Sequence, residues 1–260
     1  AGMASPQRMP FSPEMISMAW QQRCPAGAGL QNVDNTCFLN AVLQCLTYTP
    51  PLANYLLSRE HSRSCNQTGF CMVCTLEKHV RAVLNSPGSS ILPNAIVSTL
   101  TLIGADFQVG RQQDTHEFLC YTLDTMSKRE PAVIHQIFGG KLRSRVTCLQ
   151  CGAVSDTYEL FFDLPLDIKE LSSVTGALED FVRLEQLDGE NSFQCSGCRR
   201  LAAVSKRLTI HHSSNILIVC LKRFDASSGA KINEVVEYAE HLDLGPYMSE
   251  EAEGPRIYSL

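Results

Sequence analysis

Apolar positions recur with helical spacing three times in the first half of the chain. Phe38, Ala41, Val42, Cys45 and Leu46 follow the i, i+3, i+4, i+7, i+8 pattern of one buried helix face. Pro50 and Pro51 stand where that helix is expected to end, because a proline inside a helix lacks a donor and clashes with the preceding turn. Val73, Leu76, Val80, Val83 and Leu84 predict a second helix, stopped by the turn-forming run Asn85-Ser86-Pro87-Gly88. A third is expected from about Gln113 to Met126, with Leu119, Leu123 and Met126 facing inward.

After Gly139-Gly140 the pattern shortens. Arg143 to Thr147, Val154 to Leu164, Lys206 to Ile210 and Ile216 to Leu221 are rich in β-branched and aromatic residues and predict strands. One helical stripe, Val174, Leu178, Phe181 and Val182, interrupts them. Helices first and strands second make an α+β fold. Residues 1–26 mix Met, Pro, Gln and Ser without a period and read as a loose N-terminal extension, with order beginning near Gly27.

Composition narrows the class. With 260 residues, 44% of them hydrophobic, the chain can bury a sizeable core. No apolar run reaches the roughly 18 residues a membrane span needs, and the first residues lack the order of a secretory signal, so an intracellular protein of cytoplasm or nucleus is expected, with no membrane partner. A net charge of −5 without a Lys/Arg stripe argues against nucleic acid.

Twelve cysteines without an export signal fit metal ligands, a nucleophile and buried thiols better than a disulfide framework. Cys148-x-x-Cys151 and Cys195-x-x-Cys198 carry the most specific spacing. Each knuckle presents two thiolates from one turn, and two knuckles complete a tetrahedron around Zn²⁺. Four thiolates leave no open position, so such a zinc is structural and pins the tips of two long hairpins. Cys65, Cys71 and Cys74, with His61 nearby, supply enough ligands for another metal, but their spacing is irregular and leaves that reading open.

Cys37 falls at the start of the first expected helix, after Asp34, Asn35 and Thr36, all plausible capping residues. The positive end of a helix dipole favours a thiolate, as a nucleophile requires, yet a cysteine there is equally at home as a small buried hydrophobe.

The neighbours of Cys37 carry more. The run from Gly29-Leu30-Gln31-Asn32-Val33-Asp34-Asn35-Thr36-Cys37 to Phe38-Leu39-Asn40-Ala41-Val42-Leu43-Gln44-Cys45-Leu46 resembles the cysteine box of the ubiquitin-specific proteases. Gln112-Gln113-Asp114-Thr115-His116-Glu117-Phe118 resembles that family's QQD box, Ile137-Phe138-Gly139-Gly140 its FGG element and Leu221-Lys222-Arg223-Phe224 its LKRF strand, in the family's order. The resemblance covers the span from about Gly27 to Leu260. It implies a papain-like cysteine protease fold: a helical thumb (27–130), fingers with the zinc knuckles (131–205) and a partial palm (206–260).

The resemblance also implies roles. Cys37 is the expected nucleophile toward the C-terminal glycine of ubiquitin, and Asn32 the expected oxyanion donor. Asp114 and Glu117, with Gln113 helping, are expected to hold ubiquitin's basic tail. The expected activity is deubiquitination of ubiquitinated proteins by a thiol hydrolase with a structural zinc.

Two departures mark this sequence. Asp34 stands where the family usually has glycine, and its charge opposes a thiolate at Cys37. None of the seven histidines stands in the family's G-H-Y box, which follows the position of Leu260, so the chain is expected to be C-terminally incomplete and to lack the general base. A catalytically inactive ubiquitin-binding pseudoenzyme or fragment is therefore the alternative expectation.

Overall fold

The computed structural model describes residues 16–189, 192–225 and 227–260. They form two compact units, one reaching to Ile137 and the other beginning at Phe138. Among the described residues no helix is long and apolar enough to cross a membrane.

The first unit is helical. Its elements are β1 (Gly29–Leu30), α1 (Cys37–Thr47), α2 (Pro50–Ser58), α3 (Glu60–Ser64), α4 (Met72–Leu84), β2 (Ser90–Ile91), α5 (Asn94–Val97), α6 (Leu100–Ile103), α7 (Thr115–Ser127) and α8 (Pro131–Phe138). The three expected stripes become α1, α4 and α7, which bury Leu39, Leu43, Leu76, Val80, Phe118 and Met126 almost completely. Helix α1 ends at Thr47, and the two prolines open α2 at its first positions, where no intrahelical N–H is needed. Arg59, left-handed at φ 60°, closes α2 and begins α3. The expected loose extension falls partly on residues 1–15, which lie outside the described residues. Farther on, Asn54 of α2 donates to the carbonyls of Ser17 (3.2 Å) and Ala19 (2.8 Å).

The second unit is built on a mixed sheet in the order β12-β9-β3-β4, made of β3 (Gly140–Cys148), β4 (Val154–Phe161), β9 (Val204–His212) and β12 (Met248–Glu253). Strands β3 and β9 pair antiparallel from Lys141 opposite His212 to Cys148 opposite Val204. Strand β6 (Glu185–Leu187) also pairs with β9. Separate two-stranded pairs join β5 (Leu164–Asp167) to β10 (Val219–Lys222), β7 (Phe193–Gln194) to β8 (Leu201–Ala202), and β11 (His241–Asp243) to β13 (Ile257–Ser259). Helix α9 (Val174–Phe181) packs Ala177 and Leu178 into a core with Leu164, Leu166, Ile168, Ile210, Leu244 and Tyr247. Helix α9 and four of the strands lie where the sequence periodicity puts them.

Candidate active site and metal centre

Cys37 is the first residue of α1, and it is exposed. The chain reaches it through two left-handed residues, Asp34 (φ 46°) and Asn35 (φ 65°), a conformation that short polar side chains tolerate better than most. Thr36 occupies the N-cap position but does not cap. Its backbone is not extended (φ −80°, ψ 12°), so its buried hydroxyl turns back, accepting from the Val33 amide at 3.0 Å and donating to Asn32 Oδ1 at 3.3 Å. The head of α1 therefore has no side-chain cap, and Asn32 has its oxygen occupied, which leaves the amide nitrogen as its donor end.

Polar residues on α1 hold the approach. Asn40 Nδ2 donates to the Gln31 carbonyl at 3.0 Å and Gln44 Nε2 to the Ala28 carbonyl at 3.2 Å, so two amides one turn apart carry strand β1 along the helix. The cysteine loop is fastened at a second place: the Gly110 amide donates to the Asp34 carbonyl at 2.7 Å, and Asn35 Nδ2 donates to the Gly110 carbonyl at 3.2 Å. The sequence alone does not single out Thr36, Asn40, Gln44 or Gly110 for these parts. The signal for Asn40 and Gln44 is their i, i+4 spacing beside the apolar stripe. Gly110 offers none beyond being a glycine.

The QQD-like segment sits in the same unit. Asp114 is the N-cap of α7 and accepts from the Glu117 amide at 3.0 Å. Glu117 is exposed in the first turn, where the helix dipole favours a carboxylate. Gln113 is half-buried and donates to the Asp106 carbonyl at 3.1 Å. Helices α1 and α7 are joined through aromatic rings: Phe38, next to Cys37, meets Phe118, next to Glu117, edge to face at 5.5 Å, and both contact Phe107. One rigid cluster thus carries the thiol loop on one helix and the carboxylate pair on the other.

The histidines of this unit have their own surroundings. His61 lies against Glu130 and Cys71, His79 is buried, His116 is 3.4 Å from Cys120 Sγ, and His135 bonds the Pro131 carbonyl.

In the second unit the knuckles match each other bond for bond. The Cys148 amide donates to the Ala153 carbonyl and the Gly152 amide to the Cys148 carbonyl, both at 2.9 Å. The Cys195 amide donates to the Arg200 carbonyl and the Arg199 amide to the Cys195 carbonyl, again at 2.9 Å. The residue after each second cysteine is left-handed, Gly152 at φ 69° and Arg199 at φ 58°. All four sulfurs lie within 4.8 Å of one another, with Cys148 and Cys195 buried. Amides of Cys198 and Gly197 hydrogen-bond the Cys195 sulfur and pull that thiol down to about 6, the anionic form a metal needs. The Ala153 amide favours the Cys151 thiolate, but hydrogen bonding to the neighbouring thiols of Cys148 and Cys195 outweighs it and pushes Cys151 up to about 11. The donor set fits a four-thiolate zinc centre with no open coordination position.

The model of the ubiquitin carboxyl-terminal hydrolases matches residues 28–260. The chain belongs to that family. It is 50% identical to human ubiquitin carboxyl-terminal hydrolase 42 over 272 aligned positions, which cover all of this chain and 20% of that protein. It is 45% identical to human ubiquitin carboxyl-terminal hydrolase 17-like protein 6, covering 95% of this chain and 64% of the relative. The chain thus spans less than two thirds of the length of either. Among solved structures, Ubp8 in the SAGA Ubp8/Sgf11/Sus1/Sgf73 DUB module bound to ubiquitin aldehyde is similar at a TM-score of 0.78 and 26% identity, over 92% of this chain and 58% of that one. The same module with a cysteine-to-alanine variant of Ubp8, bound to monoubiquitin, gives 0.77 and 27%, over 89% and 56%. The α+β fold is that of the ubiquitin-specific proteases.

Proposed function

We propose that this chain is the catalytic domain of a thiol hydrolase that cleaves after the C-terminal glycine of ubiquitin, with Cys37 as nucleophile. The observation that carries the reading is the exposed thiol at the uncapped head of α1, beside an asparagine whose oxygen is occupied by Thr36. The Cys37 thiolate attacks the carbonyl carbon, and the carbonyl electrons move to oxygen, where the Asn32 amide and the Cys37 N–H donate. Collapse expels the amine, which takes up a proton from water, and leaves a thioester. Water then adds to it and releases the ubiquitin carboxylate and the thiol.

Ubiquitin as partner is supported by the two neighbours, which were solved with ubiquitin aldehyde and with monoubiquitin. Asp114 and Glu117 present carboxylates to the basic tail, and Gln113 braces the loop before them. Cys148, Cys151, Cys195 and Cys198 hold zinc as a structural pin. Twelve cysteines with no disulfide between any of them support an intracellular setting, cytoplasm or nucleus.

A ubiquitin-binding protein without turnover is the second reading, favoured by Asp34, whose carboxylate lies three positions before the nucleophile. Release of a fluorogenic amine from the C-terminus of ubiquitin separates the two. Turnover lost in Cys37→Ala, and reduced on the order of 100-fold in Asn32→Ala, supports the hydrolase. Ubiquitin binding with no turnover supports the second reading, and absence of both overturns each.

A further inference from the structure

The first unit holds a second cluster of metal-ligating side chains, away from the candidate active site. His61 lies on α3 and Cys65 just past its end, one helical turn apart. Cys71 is the N-cap of α4 and Cys74 lies in its first turn. The irregular spacing in sequence is resolved in space, because two helical turns each present a pair of ligands and the chain folds the end of α3 onto the start of α4. One atom from each of the four residues lies within 4.8 Å of all the others.

We propose that His61, Cys65, Cys71 and Cys74 bind a structural zinc ion. The imidazole is set up as a ligand. Its Nδ1 is 2.5 Å from Glu130 Oε1 and its Nε2 is 3.2 Å from Cys71 Sγ. With Nδ1–H donating to the carboxylate, the tautomer is fixed and the Nε2 lone pair is turned toward the thiols. Glu130 is itself steadied by a hydrogen bond from Tyr55. Cys65 receives the backbone N–H of Gln67, two residues on, as Cys195 receives that of Gly197.

Other uses of these groups fit less well. A disulfide would take two of the three thiols and leave the third beside a buried imidazole. A thiol–imidazole–carboxylate catalytic set is opposed by burial, since Cys71 is 6% exposed and the His61 side chain 10% exposed. Three thiols around one imidazole form a closed tetrahedral ligand set, so the site is structural.

A separate observation points the same way. Helix α3 has five residues, none of them apolar. A helix that short is not stable in water by itself, and α3 has no apolar face to hold it. A metal bound by His61 and Cys65 on one side and by Cys71 and Cys74 on the other supplies the missing anchor.

The test is zinc content of the purified chain by mass spectrometry of the metal. Two equivalents are expected. Cys148→Ser with Cys195→Ser should leave one, as should Cys65→Ser with Cys74→Ser. One equivalent in the parent, lost on substituting Cys148 and Cys195, overturns the proposal. Cobalt substitution of the Cys148/Cys195 variant guards against misfolding. Tetrahedral cobalt bands with thiolate charge transfer are expected, shifted toward four-sulfur absorption by His61→Cys, and their absence, or indifference to His61→Cys, also overturns it. Glu130→Gln should keep the helical circular dichroism and weaken zinc affinity by about 10–100-fold.

Discussion

The carbonyl of Asp34 accepts the amide of Gly110 at 2.7 Å, across a sequence gap that no local pattern bridges. Asp34 and Asn35 are both left-handed, and so is Gly110 at φ 88°. The contact joins the loop before the thiol to the loop before Gln113 and Asp114.

Gly110→Ala tests that fastening. A Cβ at this position meets nothing within 4 Å, so the cost is backbone strain alone, about 1–2 kcal/mol. The melting temperature should fall slightly. Turnover of a ubiquitin substrate should fall by about tenfold or more, since small displacements of a nucleophile are costly. An equal loss of stability with full turnover would show that the fastening does not position Cys37.

His79 makes the first unit acid-sensitive. It is 5% exposed, its Nε2 has no hydrogen-bond partner, and burial pushes it down to about 4. Neutral histidine is favoured in the folded state, so its contribution is complete above the unfolded value of 6.5 and lost as pH falls from there to about 4. The loss approaches about 3 kcal/mol at the acid end. His79→Leu should flatten denaturant midpoints across that window and leave those above pH 7 unchanged or higher. A parent midpoint that is constant from pH 7 to 4 would refute this.

Gly140 opens β3 opposite Phe161, and a Cβ there would stand 2.2 Å from the Phe161 ring. Gly140→Ala should cost about 1–3 kcal/mol by overpacking. Adding Phe161→Leu should recover part of that loss. Additive losses in the double variant would place the strain elsewhere.

The two cysteine knuckles, the proposed zinc site, have little else beneath them. Among the described residues their apolar cluster contains only Cys148, Cys195 and Ala202 as buried residues, with Ala153 and Cys198 against it. Chelation, or Cys148→Ser, should expose the amides of β7 and β8 to hydrogen exchange while the core around Leu166 and Leu178 stays protected. Protection retained at Phe193 to Ala202 without metal would refute the role.

What could be read beforehand follows from how local each signal is. Helices α1, α4, α7 and α9 carry apolar stripes, and the two C-x-x-C pairs carry their geometry in four residues each. Helix α2 is hidden because Pro50-Pro51 signals an end as readily as a beginning. Helix α3 has no apolar residue, and β12 reads Met-Ser-Glu-Glu-Ala-Glu, which resembles a solvated loop. At the candidate active site the residues proposed for the chemistry can be named from the sequence, whereas Thr36 turning backward and Asn35 reaching a residue 75 positions away depend on tertiary packing. The proposed ligands near His61 are visible as an inventory but not as an arrangement, since Glu130, which orients His61, is 69 positions away.

The matched knuckles have a bearing on how the protein is made. Cys151 and Cys195 are 44 positions apart, so at about 5–20 residues per second the ribosome finishes the first knuckle on the order of a few seconds before the second. During that interval the nascent chain presents two bare thiols that cannot yet close a tetrahedron, and β3 has no β9 to pair with. The proposed zinc site can therefore close only once Cys198 has emerged, and β3 gains its partner only after Val204 to His212 follow.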